Sequence, residues 1–473
     1  MLNCTGYRVG TDMVLTEEMT LVERTMEAIR LRIAGRTLVP GAKLPSIRRF
    51  AEDMQVSKST VVEAYDRLSA EGIIISRPGS GFYVAGQLAP LSLAEIGPKL
   101  DREVDPLWVS RQSLEAGGDF LKPGCGWMPA SWMPETSIRK ALRSLSRAND
   151  TILTEYGSPL GLSELRQFLA RRAAGYGIDA SPDQIILTGS GTQAIDQLCR
   201  FLLEPGHCVV VDDPCYFNFH ALLRAHRAKV VSVPFTPNGP DIGAFEQALI
   251  EHKPKLYITN SGLHNPTGAT LSPVVAHRVL KLAEQHNLTI IEDDIFADLE
   301  HEHAPRYAAF DGLERVVHIG SFSKTLSASV RCGYIIARPD WIDGLADLRI
   351  ATSFGAGHFS AELVLSVLKD GSYRKHLDAL KTKLADTMGT TAARLNKLGI
   401  KPWIEPRGGM FLWCELPQGV NASDLAQRAL ARDVILAPGS VFSITQSADN
   451  YIRFNAAQSQ NPRIFGVLED LLR

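Results

Sequence analysis

The sequence carries almost no net charge: 50 Lys and Arg stand against 52 Asp and Glu over 473 residues, a formal net charge of -2. No whole-molecule field draws such a chain to nucleic acid or repels it, so any nucleic-acid surface has to be local. Seven cysteines are present, Cys4, Cys125, Cys199, Cys208, Cys215, Cys332 and Cys414, with no C-x-x-C pair among them and no framework spacing. That is the usage of a chain kept reduced, and it points to the cytoplasm. Long hydrophobic runs are also missing. No apolar stretch approaches the roughly 18 residues that span a bilayer, so no membrane partner is expected. Met1 to Thr16 lacks a basic start followed by an apolar run and reads as a disordered leader, an over-long start rather than a signal peptide. There is no internal repeat and no low-complexity tract.

What is abundant is apolar sequence, at 45% of the residues, enough for two or three cores in a chain of this length. From Leu21 to Ala34, Val22, Met26, Ile29 and Ile33 fall at helical spacing, and Gly35 follows where a helix stops. After the turn from Val39 to Pro45, Ser46 caps a short helix carrying Ile47, Phe50, Ala51 and Met54. Ser57 caps a third helix with Val61, Ala64, Tyr65 and Leu68 on one face, and Gly72 sits at its end. The β-rich runs Ile73 to Ile75 and Phe82 to Val84 flank Arg77-Pro78-Gly79-Ser80-Gly81 as a hairpin. Three helices and a hairpin over residues 17–86 predict a winged helix-turn-helix.

Residues 87–117 mix Pro, Gly, Ser and charge without a sustained period and read as a linker with one helical patch. From residue 118 to 473 the texture changes. Apolar strands at Gln184 to Leu187, Cys208 to Val211, Leu256 to Thr259, Thr289 to Ile291 and Val316 to Ile319 alternate with helical stretches. Strands that are continuously apolar, rather than alternating, predict an α/β domain with a parallel-rich sheet covered by helices on both faces. From about Gly371 a smaller α/β subdomain is expected.

DNA binding by the first domain needs donors for phosphate oxygens at the amino ends of its second and third helices, and a wing. Arg48 and Arg49 open the second helix, Ser57-Lys58-Ser59-Thr60 opens the third, and Arg77 precedes the glycines of the hairpin. Charge alone does not decide the matter, because residues 17–86 hold ten Lys and Arg against nine Asp and Glu.

In the large domain, polar residues collect where predicted strands end, the edge at which such sheets bind ligands. Gly320-Ser321-Phe322-Ser323-Lys324-Thr325 follows one strand, and Arg331 stands seven residues beyond the lysine. A lysine behind two hydroxyls, with an arginine able to hold phosphate, is the set that an imine-forming cofactor, pyridoxal 5'-phosphate, requires. Thr188-Gly189-Ser190-Gly191-Thr192 turns from a strand into a helix and offers backbone N–H groups to a phosphate. Asp293 and Asp294 end another strand, and Asp293 is the choice for a carboxylate at the ring nitrogen. Asn265, in His264-Asn265-Pro266-Thr267-Gly268, suits the phenolic oxygen, and Tyr216 suits stacking on the ring. Separately, the aspartate pair also reads as a helix cap and the Asn-Pro pair as a plain turn. No metal site is indicated: Glu300, His301, Glu302 and His303 read as a solvated polar run.

The stretch Leu38 to Arg48, with Val56-Ser57-Lys58-Ser59-Thr60-Val61 and Ala64 to Gly72, closely resembles the GntR-type family of bacterial regulators. By that resemblance Arg48, Ser57, Lys58 and Thr60 contact DNA, with Arg77 and Gly79 in the wing. Lys58 stands where many members have Arg, which weakens bidentate reading of a guanine. Residues from about 118 to 473 resemble the fold-type I aminotransferases, and the whole chain resembles the MocR-type regulators that fuse the two. The resemblance implies that Lys324 forms the internal aldimine, Asp293 pairs the ring nitrogen, Asn265 bonds the phenolic oxygen and Tyr216 lies over the ring. It further implies that Ser190, Gly191, Thr192, Ser321, Ser323 and Arg331 hold the phosphate. Tyr156 would reach the phosphate of a partner subunit in a head-to-tail homodimer, and Arg453 would grip an α-carboxylate.

One departure matters. Aminotransferases usually have tyrosine three residues after the ring aspartate, and this chain has Phe296. Three functions follow as expectations: a DNA-binding regulator sensing an amino compound or B6 vitamer at Lys324, a working aminotransferase with a DNA-binding head, or a scaffold that has lost its cofactor. The intact Lys324, Asp293 and Arg453 set argues against the scaffold. Phe296 and the fused head favour the regulator over the enzyme, with full transamination doubtful.

Overall fold

The computed structural model describes residues 20–34, 38, 41–85, 106–147, 150–355 and 357–473. The expected leader, Gly35, and most of the expected linker lie outside these residues. The chain divides into two compact units, residues 1–100 and 101–473.

The first unit has helices α1 (Leu21–Ala34), α2 (Ile47–Met54) and α3 (Lys58–Ala70), then strands β1 (Ile74–Arg77) and β2 (Gly81–Val84). Both serine caps form: Ser46 accepts from the Arg49 N–H and Ser57 from the Thr60 N–H, which satisfies backbone donors that a helix start otherwise leaves open. The apolar positions read at helical spacing meet in one core of Met26, Ile29, Phe50, Val61, Tyr65 and Leu68, closed by Ile74 and Val84 of the hairpin. Tyr65 is fully buried, its ring edge-on to Phe82 at 4.9 Å and its hydroxyl donating to the Pro45 carbonyl at 2.9 Å. The hairpin pairs Ile74 with Val84 through Arg77 with Gly81, and Gly79 at its tip has φ +73°. This is the winged helix-turn-helix expected.

The second unit opens with α4 (Pro106–Glu115), which is the helical patch of the expected linker; its Val109 packs with Phe217, Trp413 and Phe442. The main sheet has eight strands: β3 (Ile185–Thr188), β4 (Cys208–Asp213), β5 (Lys229–Thr236), β6 (Gly239–Pro240), β7 (Leu256–Thr259), β8 (Thr289–Asp293), β9 (Val316–Ser321) and β10 (Gly333–Ile336). Their order is β3-β10-β9-β8-β7-β4-β5-β6. Strands β5, β4, β7, β8 and β9 are mutually parallel, but β10 runs antiparallel to both β3 and β9, as β6 does to β5. The sheet is therefore mixed. Consecutive residues alternate between two cores: Val210, Ile290 and Ile336 join one, while Val209, Val211, Ile291 and Ile335 join the other. Two covered faces are what makes the strands continuously apolar in sequence.

The remainder is the smaller subdomain. The long helix Gly371–Lys397 leads into β11 (Lys401–Pro402), β12 (Phe411–Glu415), β13 (Ala437–Pro438) and β14 (Tyr451–Asn455), an antiparallel sheet of order β11-β12-β14-β13. Among the described residues no helix is long and apolar enough to cross a membrane.

All six tryptophans lie beyond residue 100, so their fluorescence reports the second unit alone. Phe50→Ala removes a fully buried ring and is expected to cost about 3–5 kcal/mol in the first unit. In a urea titration the circular dichroism transition should gain an earlier phase while the tryptophan transition stays in place.

Candidate functional site

The carboxyl ends of β3, β4, β7, β8 and β9 face one edge of the main sheet, and the antiparallel β10 returns its amino end, just after Arg331, to the same edge. Beyond these ends, Tyr216, Asn265, Phe296 and Lys324 line a cavity of about 80 Å³ together with Arg453 from β14 and the segment Gly124, Cys125, Gly126 and Trp127. Asp293 ends β8 beside it.

Lys324 donates from Nζ to the Gly126 carbonyl at 2.7 Å. Burial, helped by the positive Arg453 nearby, pushes its ammonium pKa down to about 8, because a poorly solvated site disfavours the charged form. A Cβ on Gly126 would lie 3.9 Å from that Nζ and 4.0 Å from Arg453 Nη2, in ordinary van der Waals contact, so Gly126 directly adjoins both cationic groups. Burial pushes the Asp293 carboxyl up to about 7, and its Oδ1 accepts from the Ile295 N–H at 3.3 Å. Its neighbour Asp294 is spoken for: Arg306 donates to both of its oxygens, at 2.7 and 3.3 Å. Asp294 is thus held in a buried ion pair, while Asp293, the residue chosen from the sequence, stands beside the cavity.

Arg453 is 1% exposed. Its Nη1 donates to Asn265 Oδ1 at 2.8 Å and its Nη2 to the Gly124 carbonyl at 2.7 Å. The guanidinium lies 4.2 Å from the Phe411 ring centre, and its Nε has no hydrogen-bond partner. Burial holds its pKa down at about 10. Tyr216 packs against Phe217 and Phe219, and burial raises its phenol to about 12.

The hydroxyl-bearing turns meet just outside the cavity lining. Ser190 caps the helix Gly191–Leu202, accepting from the Gln193 N–H at 3.1 Å. Ser321 Oγ donates to Ser323 Oγ at 3.0 Å and accepts from the Ser323 N–H at 3.2 Å. A Cβ on Gly191 would sit 3.8 Å from that of Ser321, and one on Gly333 would strike the Ser190–Gly191 peptide at 2.8 to 3.0 Å, so strand and turn meet at a distance only glycine permits. Thr192 and Arg331 are exposed at this edge, Arg331 with φ +54°. Tyr156 is not brought to the cavity. It is 82% exposed, its ring 5.6 Å from that of Phe354.

In the first unit, Arg48 is exposed and reaches Glu52 at 3.3 Å, Lys58 is exposed at the start of α3, and the Ser57 hydroxyl contacts those of Ser59 and Thr60 at 2.7 and 2.8 Å. The Arg77 guanidinium lies 4.4 Å over the Tyr83 ring, and Gly79 stands free at the wing tip.

One expectation needs correction. The run from Glu300 to His303 is not uniformly solvated: Glu300 is 4% exposed and accepts from Arg306 at 2.7 Å, which draws it inward, while His301, Glu302 and His303 remain exposed. Sequence reasoning also missed three residues. Gly126 contributes only a carbonyl and has no side-chain signature. Asn260 donates to the Asp293 carbonyl at 3.0 Å. Asn455 donates to the carbonyls of Cys125 and Trp127 at 3.0 and 2.8 Å, fixing the segment that receives Lys324. Its place two residues after Arg453 on one strand puts both on one face, a signal present in the sequence.

The geometry agrees with comparison to known proteins. Residues 130–469 match the family model described as aminotransferase class I and II, and residues 21–84 match the model described as bacterial regulatory proteins, gntR family. The uncharacterized HTH-type transcriptional regulator YdcR of Escherichia coli is 31% identical over 447 residues, covering 93% of this chain and 95% of the relative. The HTH-type transcriptional regulator NorG of Staphylococcus aureus is 28% identical over 436 residues, covering 89% and 97%. Among solved structures, LysN, the α-aminoadipate aminotransferase of Thermus thermophilus complexed with N-(5'-phosphopyridoxyl)-L-leucine, superposes with TM-score 0.69 at 25% identity, over 77% of this chain and 95% of that one. The kynurenine aminotransferase of Pyrococcus horikoshii gives TM-score 0.70 at 25% identity, over 79% and 95%.

The raised Asp293 pKa makes a stability prediction for the cofactor-free chain. Its carboxyl titrates near 7 when folded and near 3.9 when unfolded. The folded state therefore holds the extra proton between those values, and stability falls as pH rises through them. Asp293→Asn should match the wild type near pH 4 and exceed it above pH 7 in urea unfolding followed by tryptophan fluorescence; a difference constant with pH would remove the buried-carboxyl reading.

The cofactor-site geometry, the helix-turn-helix head and the matches along nearly the whole length lead to one conclusion: the chain belongs to the family of HTH-type transcriptional regulators that join a GntR-type head to an aminotransferase class I and II domain.

Proposed function

We propose that the protein is a cytoplasmic, DNA-binding regulator that holds pyridoxal 5'-phosphate at Lys324 and senses an amino compound or B6 vitamer there. The observation that carries this reading is the buried Lys324 amine, pushed down to about 8 and set among Asp293, Asn265 and Arg453. An amine with that pKa has a far larger unprotonated fraction near neutral pH than an ordinary lysine, and that form is nucleophilic toward an aldehyde. When bound, the cofactor supplies that aldehyde and an electron-accepting ring.

The residues fit the group. Asp293 stands ready for a ring nitrogen, and Asn265 and Tyr216 for the ring's oxygen and face. The backbone N–H groups at Gly191 and Thr192, with Ser190, Ser321, Ser323 and Arg331, suit a phosphate dianion at a helix start. Arg453 offers its unpartnered Nε to a ligand carboxylate. The exposed rings of Tyr156 and Phe354, with exposed Leu153, Ile350 and Phe359, favour a homodimer in which a second copy covers them and Tyr156 reaches its phosphate. In the head, Arg48, Ser57, Lys58 and Thr60 take DNA phosphates and base edges of an operator, and Arg77 and Gly79 form the wing contact.

Borohydride treatment followed by peptide mapping should find the phosphopyridoxyl group on Lys324, and Lys324→Ala should yield none. A retained adduct on another lysine would overturn the assignment.

Phe296 weighs against a working aminotransferase. It is 3% exposed, and Lys324 Nζ lies 5.8 Å from its ring centre, so the ring gives the amine no hydroxyl to help move a proton. General acid–base assistance is worth about 10² to 10⁴ in rate. Wild-type half-reactions with common amino donors should therefore run well below the ordinary range of about 1 to 10³ per second, and Phe296→Tyr should speed them, as read by stopped-flow absorbance. Wild-type turnover inside that range would make this a DNA-associated enzyme.

A further inference from the structure

One wall of the cavity beside Lys324 comes from outside the sheet. Val109, Ser110 and Ser113 of α4 line it together with Lys324, Asn265 and Arg453. Ser113 is 2% exposed, and its hydroxyl has no hydrogen-bond partner. A hydroxyl inside a helix commonly turns back to the carbonyl four residues earlier. Elsewhere in this chain Thr25, Thr352, Thr382, Thr387 and Thr390 all do so. Ser113 does not, although its helix would allow it. Buried polar groups without partners are uncommon, and this one lies in the lining of a cavity whose other polar side chains include the Lys324 amine, the Asn265 amide, the Arg453 guanidinium and the Tyr216 and Ser110 hydroxyls.

We propose that Ser113 is a specificity-determining residue, hydrogen-bonding the side chain of a bound α-amino acid so that the site prefers polar side chains to aliphatic ones of similar size. The inference rests on the reading that the Lys324 site holds pyridoxal 5'-phosphate and an amino compound. Arg453 takes the carboxylate and Lys324 the amine position, which leaves the side chain as the part free to meet α4. A site built to hydrogen-bond a ligand group discriminates against analogues that lack it, because its own polar atom then stays unpaired. Since α4 is the first described element after the head in the chain, the residue that reads the side chain sits on the segment that continues toward the DNA-binding unit.

The test uses the full-length, cofactor-free protein and three probes that carry cofactor and amino acid in one molecule: the N-(5'-phosphopyridoxyl) adducts of L-leucine, L-asparagine and L-glutamine. Wild type should bind at least one amide adduct about tenfold more tightly than the leucine adduct, the scale of one hydrogen bond. Ser113→Ala should lose that advantage and bind the leucine adduct as wild type does, which also shows that the variant is folded. Equal treatment of all three adducts by wild type, or an advantage that survives in Ser113→Ala, would overturn the role of Ser113 while leaving the cofactor site standing. Failure of wild type to bind any of them would overturn the cofactor reading and this inference with it.

Discussion

The second unit is organised around a cost: a lysine amine, an arginine guanidinium and an aspartate carboxyl lie out of water at one edge of a sheet. Isolated buried charges are strongly disfavoured unless paired, hydrogen-bonded or neutralised. The structure uses the last two for these groups. Lys324 is pushed down to about 8 and Asp293 up to about 7, each drifting toward its neutral form, and Arg453 spends two of its donors on Asn265 and the Gly124 carbonyl. Groups held near neutrality at physiological pH are also the ones able to take up or release a proton when a ligand arrives.

Those three groups stay in place because the loops bearing them are tied from below. Asp212, just ahead of the Tyr216 turn, accepts from Tyr257 and Thr259 at 2.6 Å each and faces His264 at 3.4 Å, whose ring stacks on Phe235. The turns carrying Tyr216 and Asn265 are thereby joined. Arg306 bridges Asp294 and Glu300 on the far side of Asp293. Thr325, the residue after Lys324, bonds Tyr373 at 2.9 Å and Asp298 at 3.1 Å. Asn455 holds the segment that receives the Lys324 amine. Shared polar networks of this kind fix a geometry more than they add stability.

Much of this was legible in the sequence, for physical reasons that differ by residue. The head could be read because its helices have one buried stripe each, with serine caps on α2 and α3, and periodicity reports such stripes directly. Apolar runs located β3, β4, β7, β8 and β9 of the main sheet, since both faces are covered, but not β5, β6 or β10. β10 is a four-residue apolar run that the sequence reading did not name as a strand, and the structure shows it running against its neighbours, which is how Arg331 returns to the site edge. Asp293 and Asp294 are adjacent and chemically alike, so the sequence could favour Asp293 for the ring but could not say what holds Asp294. It takes Arg306, twelve residues on, to claim Asp294. Glu300 looked solvated among charged neighbours for the same reason, its partner being invisible to a local reading. Main-chain participants such as the Gly126 carbonyl leave no trace in residue types at all.

A sensor of the proposed kind couples occupancy at Lys324 to the DNA-binding head, and such a coupling is a difference in DNA affinity between occupied and empty states. The direct measurement is the Kd of the full-length protein, by fluorescence anisotropy, for a duplex it has itself selected from random sequence. It would be taken cofactor-free, loaded with pyridoxal 5'-phosphate, and loaded in the presence of each of the twenty L-amino acids, for wild type and Lys324→Ala. A change of about 5- to 150-fold is expected between at least two of these states in wild type, the usual span of such couplings, and none in Lys324→Ala. One Kd common to every state of the wild type, with the cofactor fixed on Lys324, would contradict it.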